Sequence, residues 1–224
     1  MSSRRVLAAD AGAADLGARA DDALATAHLP LVDEGPALGL WEAGPGEDTD
    51  VEVDEVFLVL SGAGEVTFDD GDRVELRPGT VVRLRAGDRT TWVVTERLRK
   101  LYVAAPDASA PGPRVLAEDV ATHDLPHEYP SGQWVVGGWP TATVADLGRL
   151  GNARIGLWQT TTGVVADIEQ DECLLVLSGS GSVRFDDDAE SVDLRPGLLL
   201  RLRDGERGEW QVGSDLRALT VAWS

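Results

Sequence analysis

The chain has 224 residues, 43% of them hydrophobic and 26% charged, a composition typical of a globular protein. Its 39 acidic residues outnumber its 20 lysines and arginines, and the net charge of −19 disfavours nucleic acid and anionic membranes as partners. Cys173, the single cysteine, excludes internal disulfides and thiolate zinc clusters. Because no apolar run reaches the roughly 20 residues of a membrane helix and no signal-peptide pattern is present, we expect a cytoplasmic protein.

The first half of the chain has the pattern of short β-strands. An Ala- and Asp-rich segment before Thr26 carries only a weak helix pattern, and we expect it to be flexible. After it, runs rich in Val, Leu and aromatic residues alternate with Gly, Asp and Pro clusters at spacings of about 8–12 residues, which is typical of an antiparallel sandwich or barrel. The predicted strands lie at 56–60, 65–68, 74–76, 80–84, 91–95 and 101–104.

The second half of the chain repeats the first. Matching segments lie 117 residues apart at first and 118 residues apart after a turn at 187–190, where the second copy carries one extra residue. Turns tolerate insertions, so a single insertion there is expected of two copies of one fold. The clearest matches pair residues 39–42 with 156–159, 59–62 with 176–179, 76–79 with 194–197 and 83–85 with 201–203.

The repeat predicts two β domains in tandem. The first spans residues 1–107 and includes the flexible N-terminal segment, and the second spans residues 108–224 and begins with a linker rich in Pro, Ser and Ala. We expect the two copies to pack as a pseudo-dimer within one chain, so that the protein is either a monomer or a homodimer.

The spacing of Glu and Gly in both copies resembles the cupin superfamily. Glu55 is followed after six residues by Gly62, as in the family's first motif, and Glu172 is followed in the same way by Gly179. A Gly-x-Trp segment at residues 39–41 adds the character of the branch that includes the ureidoglycine aminohydrolase and ethanolamine-utilisation cupins. The resemblance implies an all-β fold of two tandem cupin barrels, each a double-stranded β-helix or jelly roll.

The resemblance also implies a metal site, because most cupin enzymes hold a divalent metal with three histidines and one glutamate. In this chain the first-motif histidines fall on Asp48 and Asp50 or on the residues that follow each of them. The second-motif histidine has become Thr90 in one copy and Gly208 in the other. We therefore expect neither this metal nor another cofactor. An alternative remains open, in which Asp48, Asp50 and Glu55 bind a hard cation such as Ca²⁺ or Mg²⁺.

The resemblance implies that the family's metal-ligand positions face the lumen, and strand alternation then places one carboxylate near one or two indole rings in each barrel. Glu55 and Glu172 are the candidate catalytic residues, because burial should raise the pKa of each carboxyl group and allow general acid or base catalysis. The alternative is that both are structural. Arg201 either faces inward as an anion clamp or faces solvent. The candidate substrate-binding residues are Trp41, Thr90, Trp92 and Tyr102 in the first copy and Trp158, Gln159, Arg201 and Trp210 in the second.

These residues predict a metal-independent protein that binds a small polar organic molecule in a barrel lumen. We expect an enzyme of the isomerase, lyase or cyclase type, with a non-catalytic binding or sensor protein as the alternative. A kinase-like activity, which the ethanolamine-utilisation branch implies, is disfavoured because the chain has no glycine-rich phosphate loop. The second lumen should be the roomier, since Gly208 and Thr220 replace Thr90 and Tyr102, although the first offers more polar groups.

Overall fold

The computed structural model describes residues 5–32, 35–105, 112–129, 135–186 and 191–224. Every regular element in these residues is a β-strand, which confirms the all-β prediction. The described part of the segment before Thr26 is not helical. Over the same ranges, no helix has the length and apolar character that crossing a membrane requires.

The strands are numbered in chain order, and a run of seven strands in the first half of the chain recurs in the same order in the second half. The first set is β1 (Val6–Ala8), β2 (Ala27–Val32), β3 (Ala37–Ala43), β4 (Gly46–Val51), β5 (Glu55–Phe68), β6 (Arg73–Leu76), β7 (Val81–Leu84), β8 (Arg89–Ala104) and β9 (Val115–Ala117). The second set is β10 (His127–Tyr129), β11 (Val135–Gly138), β12 (Ala142–Leu150), β13 (Ala153–Thr160), β14 (Gly163–Ile168), β15 (Glu172–Phe185), β16 (Ser191–Leu194), β17 (Leu199–Leu202) and β18 (Arg207–Ala222).

The first barrel is the compact unit Ala11–Val120 together with Arg149–Ala153. Its sheet runs β2-β3-β8-β5-β7-β9, and β4 and β6 pair with β8 and β5. Strand β5 pairs with β8 along its length, with β7 near its start and with β6 near its end. Similarly, β8 begins beside β4 and ends beside β3. Along one edge, each long strand thus pairs first with one short strand and then with another, and this change of partner lets the sheet curve and enclose a lumen.

The second barrel is the compact unit Met1–Asp10, Ala121–Gly148 and Arg154–Ser224. Its long strands β15 and β18 pair with each other and take the places of β5 and β8. Strand β15 is flanked by β17 and then β16, while β18 is flanked by β14 and then β13. Each repeat therefore forms a barrel of the same strand arrangement, as the sequence predicts.

The N-terminal segment, expected to be flexible, is anchored. The sequence Arg-Val-Leu-Ala occurs at residues 5–8 and again at 114–117. The first occurrence forms β1 and pairs with β17 in the second barrel, whereas the second forms β9 and pairs with β7 in the first barrel. In equivalent contacts, the Arg5 guanidinium lies 4.3 Å from the Phe185 ring centroid and the Arg114 guanidinium lies 3.8 Å from that of Phe68.

The compact units are therefore not the two consecutive halves of the chain. The predicted boundary between residues 107 and 108 and most of the predicted linker fall on residues 106–111, outside the described residues. The predicted extra residue of the second repeat, at 187–190, also falls outside them.

A glycine allows each of the two longest strand pairs to bend. The register between β5 and β8 shifts around Gly62, and that between β15 and β18 shifts around Gly179. Both glycines have a positive φ, of 87° and 90°, which side chains with a Cβ rarely adopt. A Cβ at either would also overlap a carbonyl oxygen of the facing strand. The chain therefore continues through positions where the sequence pattern predicted separate strands at 56–60 and 65–68.

We predict that Gly62→Ala and Gly179→Ala each lower the free energy of unfolding by about 2–4 kcal/mol, because backbone strain adds to the overlap. Gly71→Ala is the matched control, since Gly71 has a φ of 88° with no atom near an added Cβ. It should cost only about 1 kcal/mol. Urea unfolding followed by tryptophan fluorescence measures all three, and equal losses for Gly62→Ala and Gly71→Ala would contradict the packing argument.

Candidate functional site

A buried carboxylate lies in the lumen of the first barrel just after β4. Glu52 is 8% exposed, and it accepts a hydrogen bond from the Trp92 indole N–H at 2.8 Å and another from the Thr90 hydroxyl. Burial raises the pKa of Glu52, and the two hydrogen bonds and the charge of Lys100 act in the opposite direction. Thr90 and Trp92 thus lie together as expected, and the group they bind is a glutamate that the sequence analysis did not single out.

A lysine fills the centre of this first lumen. Lys100 is 6% exposed, and its Nζ lies 2.6 Å from a carboxylate oxygen of Glu55. The ammonium lies 4.8, 4.4 and 5.0 Å from the ring centroids of Trp41, Phe57 and Trp92, distances typical of cation–π contacts. Glu55 therefore faces the lumen but is bound to an internal cation. We call Trp41, Phe57, Trp92 and Glu55 the ammonium cage.

Tyr102 lies beside this cage. Burial raises the pKa of its hydroxyl, and the nearby Glu55 adds to the shift. The side chain is close enough to the neighbouring strand that a Cβ on Gly39 would lie 2.5 Å from the Tyr102 hydroxyl. The Gly-x-Trp pattern of β3 therefore gives Tyr102 the space it needs next to Trp41.

The second lumen also contains a buried carboxylate, which accepts fewer side-chain hydrogen bonds than Glu52 does. Glu169 is 7% exposed and accepts a hydrogen bond from the Trp210 indole N–H at 2.9 Å. Gly208 stands where the first barrel has Thr90, so the hydroxyl donor is lost, and a Cβ there would lie 2.6 Å from the Glu169 carboxylate. The pKa of Glu169 is raised to about 8, chiefly by burial and also by the nearby acidic groups Asp167, Glu172 and Glu206, while the Trp210 hydrogen bond opposes the shift.

Glu172, a predicted catalytic residue, also has a raised pKa. Strand alternation on β15 puts it on the same face as Leu174 and Val176, which belong to the core of the barrel. Its pKa is raised to about 7, chiefly by burial and also by Asp167, while a hydrogen bond from Gln170 and two arginines oppose the shift. The indole rings of Trp158 and Trp210 pack 6.0 Å apart in the same core.

Two predicted binding residues do not face the lumen of the second barrel. Gln159 follows Trp158 on β13 and therefore faces the other side of the strand, where it accepts a hydrogen bond from Arg217 at 3.0 Å. Arg201 lies between the core residues Leu200 and Leu202 and faces away from them, forming an ion pair with Asp171 at 2.8 Å. Strand alternation explains both placements. Arg201 faces neither the lumen nor solvent, since it is 6% exposed and its guanidinium lies 4.3 Å from the ring centroid of Trp223.

The carboxylates of the first barrel do not fit the metal site that the cupin resemblance implies. Asp48 and Asp50 lie on β4 as exposed residues, and each accepts a hydrogen bond from the backbone N–H that follows it. Glu55 is paired with Lys100. Within the described ranges, no three His, Cys, Asp or Glu side chains are grouped in a way that could hold a metal ion.

Glu52 and Glu169 are the functional candidates that the sequence analysis missed. Glu52 lies in a segment rich in acidic residues, between Glu47 and Asp54, and so does not stand out as a candidate. The signal that could have identified it is the repeat itself, because the offset of 117 that pairs Glu55 with Glu172 also pairs Glu52 with Glu169.

Both repeats match one protein family. Residues 33–102 and 147–217 each match the family described as EutQ-like cupin domain, and these ranges cover more than half of the chain. No curated protein matches the chain.

Solved structures share the fold at low sequence identity. A DUF861-family protein of unknown function from Pseudomonas syringae pv. tomato is 19% identical, with 97% of each chain covered and a TM-score of 0.71. A cupin 2 conserved barrel domain protein from Leptotrichia buccalis is 12% identical, with 89% of each chain covered and a TM-score of 0.66. A putative glyoxylate-induced protein from Pseudomonas aeruginosa is 16% identical, with 91% of this chain and 80% of the other covered and a TM-score of 0.65.

We predict that Glu169 makes the protein less stable as the pH rises. The native state keeps its proton up to a pKa of about 8, whereas an unfolded glutamate loses it near 4.5, so the stabilisation is complete below 4.5 and is lost as the pH rises to 8. Glu169→Gln should remove this dependence. Between pH 5.5 and pH 8, the free energy of unfolding should therefore fall by about 2–3 kcal/mol less in the variant than in the wild type. Urea unfolding at both pH values tests this, with the exposed Asp193→Asn as control. An unchanged pH dependence in Glu169→Gln would contradict it.

We predict strong coupling between Lys100 and Glu55. Lys100→Met leaves Glu55 without its cation inside the barrel and should cost about 3–5 kcal/mol of unfolding free energy. Replacing both partners, in Lys100→Met/Glu55→Gln, should recover most of this loss because no unpaired charge remains. A double-mutant cycle in urea measures the coupling, and additive effects of the two substitutions would refute a buried ion pair.

Proposed function

We propose that this chain, which belongs to the EutQ-like cupin domain family, binds a small polar organic molecule in the lumen of its second barrel and transfers a proton on it without a metal ion. The observation that carries the proposal is the pair of lumenal carboxyl groups, Glu169 with a pKa of about 8 and Glu172 with a pKa of about 7, beside the rings of Trp158 and Trp210. General acid–base catalysis is most effective when such pKa values lie near the working pH.

The two carboxyl groups divide the acid and base roles. Near neutral pH, Glu169 holds its proton and can donate it, whereas a large fraction of Glu172 is ionised and can accept one. In an isomerisation, the Glu172 carboxylate takes a proton from one substrate atom and the Glu169 carboxylic acid gives a proton to another. The substrate is then rearranged with no change in composition, and a proton exchange with water restores the two carboxyl groups.

Two differences favour the second barrel over the first. In the first, Glu55 is bound to Lys100, whereas the second has Ala218 in place of that lysine. The second barrel also has Thr220 where the first has the larger Tyr102. Apolar and aromatic walls with a few polar groups are typical of small-molecule sites.

The alternative is a binding or sensor protein without catalysis. It is favoured by the first barrel, where the equivalent glutamate has a permanent partner in Lys100 and so serves a structural role. The same glutamate in the second barrel would then bind and orient a ligand without transferring its proton.

We predict that Glu172→Gln lowers proton transfer by about 10²–10⁴-fold. The test incubates the protein in D₂O with a panel of 2-hydroxy acids, 2-oxo acids, aldoses and amino acids, and follows deuterium incorporation by NMR. Prior treatment with EDTA should leave the rate unchanged. Lys100→Met/Glu55→Gln is the matched control in the first barrel and should retain the full rate.

Two outcomes would contradict this proposal. Loss of exchange in the first-barrel control, with full exchange in Glu172→Gln, would show that the first barrel carries out the chemistry and would contradict the proposal. A panel compound that raises the melting temperature but never exchanges a proton would favour the non-catalytic alternative.

A further inference from the structure

The first barrel carries its own bound cation. The Lys100 ammonium is surrounded by the ammonium cage, with a carboxylate at 2.6 Å and three ring centroids within 5.0 Å. A primary ammonium held by aromatic faces and a carboxylate in a buried lumen is a common arrangement for recognising organic cations. Lys100 can therefore be regarded as a tethered alkylammonium ligand of this lumen.

The second barrel keeps most of this cage and lacks the lysine. Trp158, Trp210 and Glu172 are the equivalents of Trp41, Trp92 and Glu55, and Leu174 replaces Phe57. Ala218 is the equivalent of Lys100: it is fully buried in the same core and lies opposite Trp158 and Val176.

The register of the two barrels is the same at this point. In the first barrel, Lys100 lies opposite Trp41 and Val59, which are the equivalents of Trp158 and Val176. The side chain of lysine exceeds that of alanine by three methylene groups and an ammonium. The replacement of Lys100 by Ala218 thus removes a group with the composition of propylammonium from between two indoles and a carboxylate.

The charges in the second lumen favour a cation. Asp167, Glu169 and Glu172 all have a raised pKa, with burial as the first cause, and Ala218 supplies no charge in the place where Lys100 lies in the first barrel. The two arginines that act on Glu172 do not replace it, since Arg154 is exposed and Arg201 is bound to Asp171 on the outer face of β17. The charged groups that act on Glu169 and Glu172 are Asp167 on β14, Glu206 in the turn before β18, Arg154 on β13 and Arg201 on β17.

We propose that the second barrel binds a primary alkylammonium between Trp158 and Trp210, with its nitrogen against Glu172, in the position that Lys100 occupies in the first barrel. This inference rests on the proposed function, because it assigns a chemical class to the molecule bound in the second lumen. Binding draws the carboxyl groups of the lumen toward their ionised forms, so that a bound ammonium is accompanied by the release of protons.

The probe is n-propylamine, which supplies the atoms that Ala218 lacks relative to lysine. Calorimetric titration should show one propylammonium bound per chain, with a saturable rise in the melting temperature that matched sodium chloride and 1-propanol do not reproduce. The affinity should fall by about tenfold for each pH unit below 7, because Glu172 must lose its proton while the amine stays protonated. Titrations in buffers of different ionisation enthalpy should report proton release.

Two variants locate the site. Ala218→Lys places a tethered ammonium in the second lumen and should abolish propylamine binding. Lys100→Ala opens the first cage, so this variant should bind a second propylammonium. Propylamine should then restore the stability that the substitution removes. Lys100→Ala remains informative even if Ala218→Lys does not fold, since its rescue by an amine tests the same cage.

The inference is overturned if propylamine produces no saturable binding at pH 8.5, if 1-propanol binds equally well, or if Ala218→Lys folds and still binds the amine. Failure of the proposed function gives a different result. In that case propylamine binds and Ala218→Lys blocks it, but no compound of the D₂O panel exchanges a proton in a Glu172-dependent way. Glu172-dependent exchange without amine binding would instead preserve the proposed function and remove this inference.

Discussion

A buried carboxylate that accepts an indole N–H is the interaction around which both lumens are organised. Glu52 binds Trp92 at 2.8 Å and Glu169 binds Trp210 at 2.9 Å. A carboxyl group in an apolar barrel is costly unless it is hydrogen-bonded, so the indole must be held in one orientation to satisfy it. That orientation determines where the second indole, Trp41 or Trp158, can pack, and with it the shape of the space between the rings.

The two barrels then differ by how the remaining charge is balanced. Lys100 neutralises Glu55 in the first, and its aliphatic stem fills the lumen. In the second, Ala218 supplies neither charge nor volume, and the carboxyl groups respond by holding protons up to neutral pH. The replacement of Lys100 by Ala218 thus separates a barrel in which a lumenal glutamate is paired with an internal lysine from one in which that lysine is missing.

The repeat and the strands from residue 56 onward were predicted from the sequence, because duplication and residue alternation are visible in the residues themselves. The inward direction of Glu55 and Glu172 was an implication of the cupin resemblance. Alternation fails across the bends of the long strands. Val59 and Val66 are seven positions apart, and strict alternation would place them on opposite faces of the strand. Both belong to the core because register shifts lie between them. Glu52 was missed because it lies beyond the end of β4 in an acidic run, and Lys100 because its ring partners come from three different strands.

The placement of β1 and β9 has a consequence for how this architecture is inherited. Each barrel is completed by a short strand whose sequence, Arg-Val-Leu-Ala, opens the other repeat. In a single-repeat ancestor, such an exchange would need two separate molecules and would depend on their concentration. Joining the repeats makes it intramolecular, at an effective concentration in the millimolar range. Fusion therefore keeps each short strand on the same chain as the barrel that it completes.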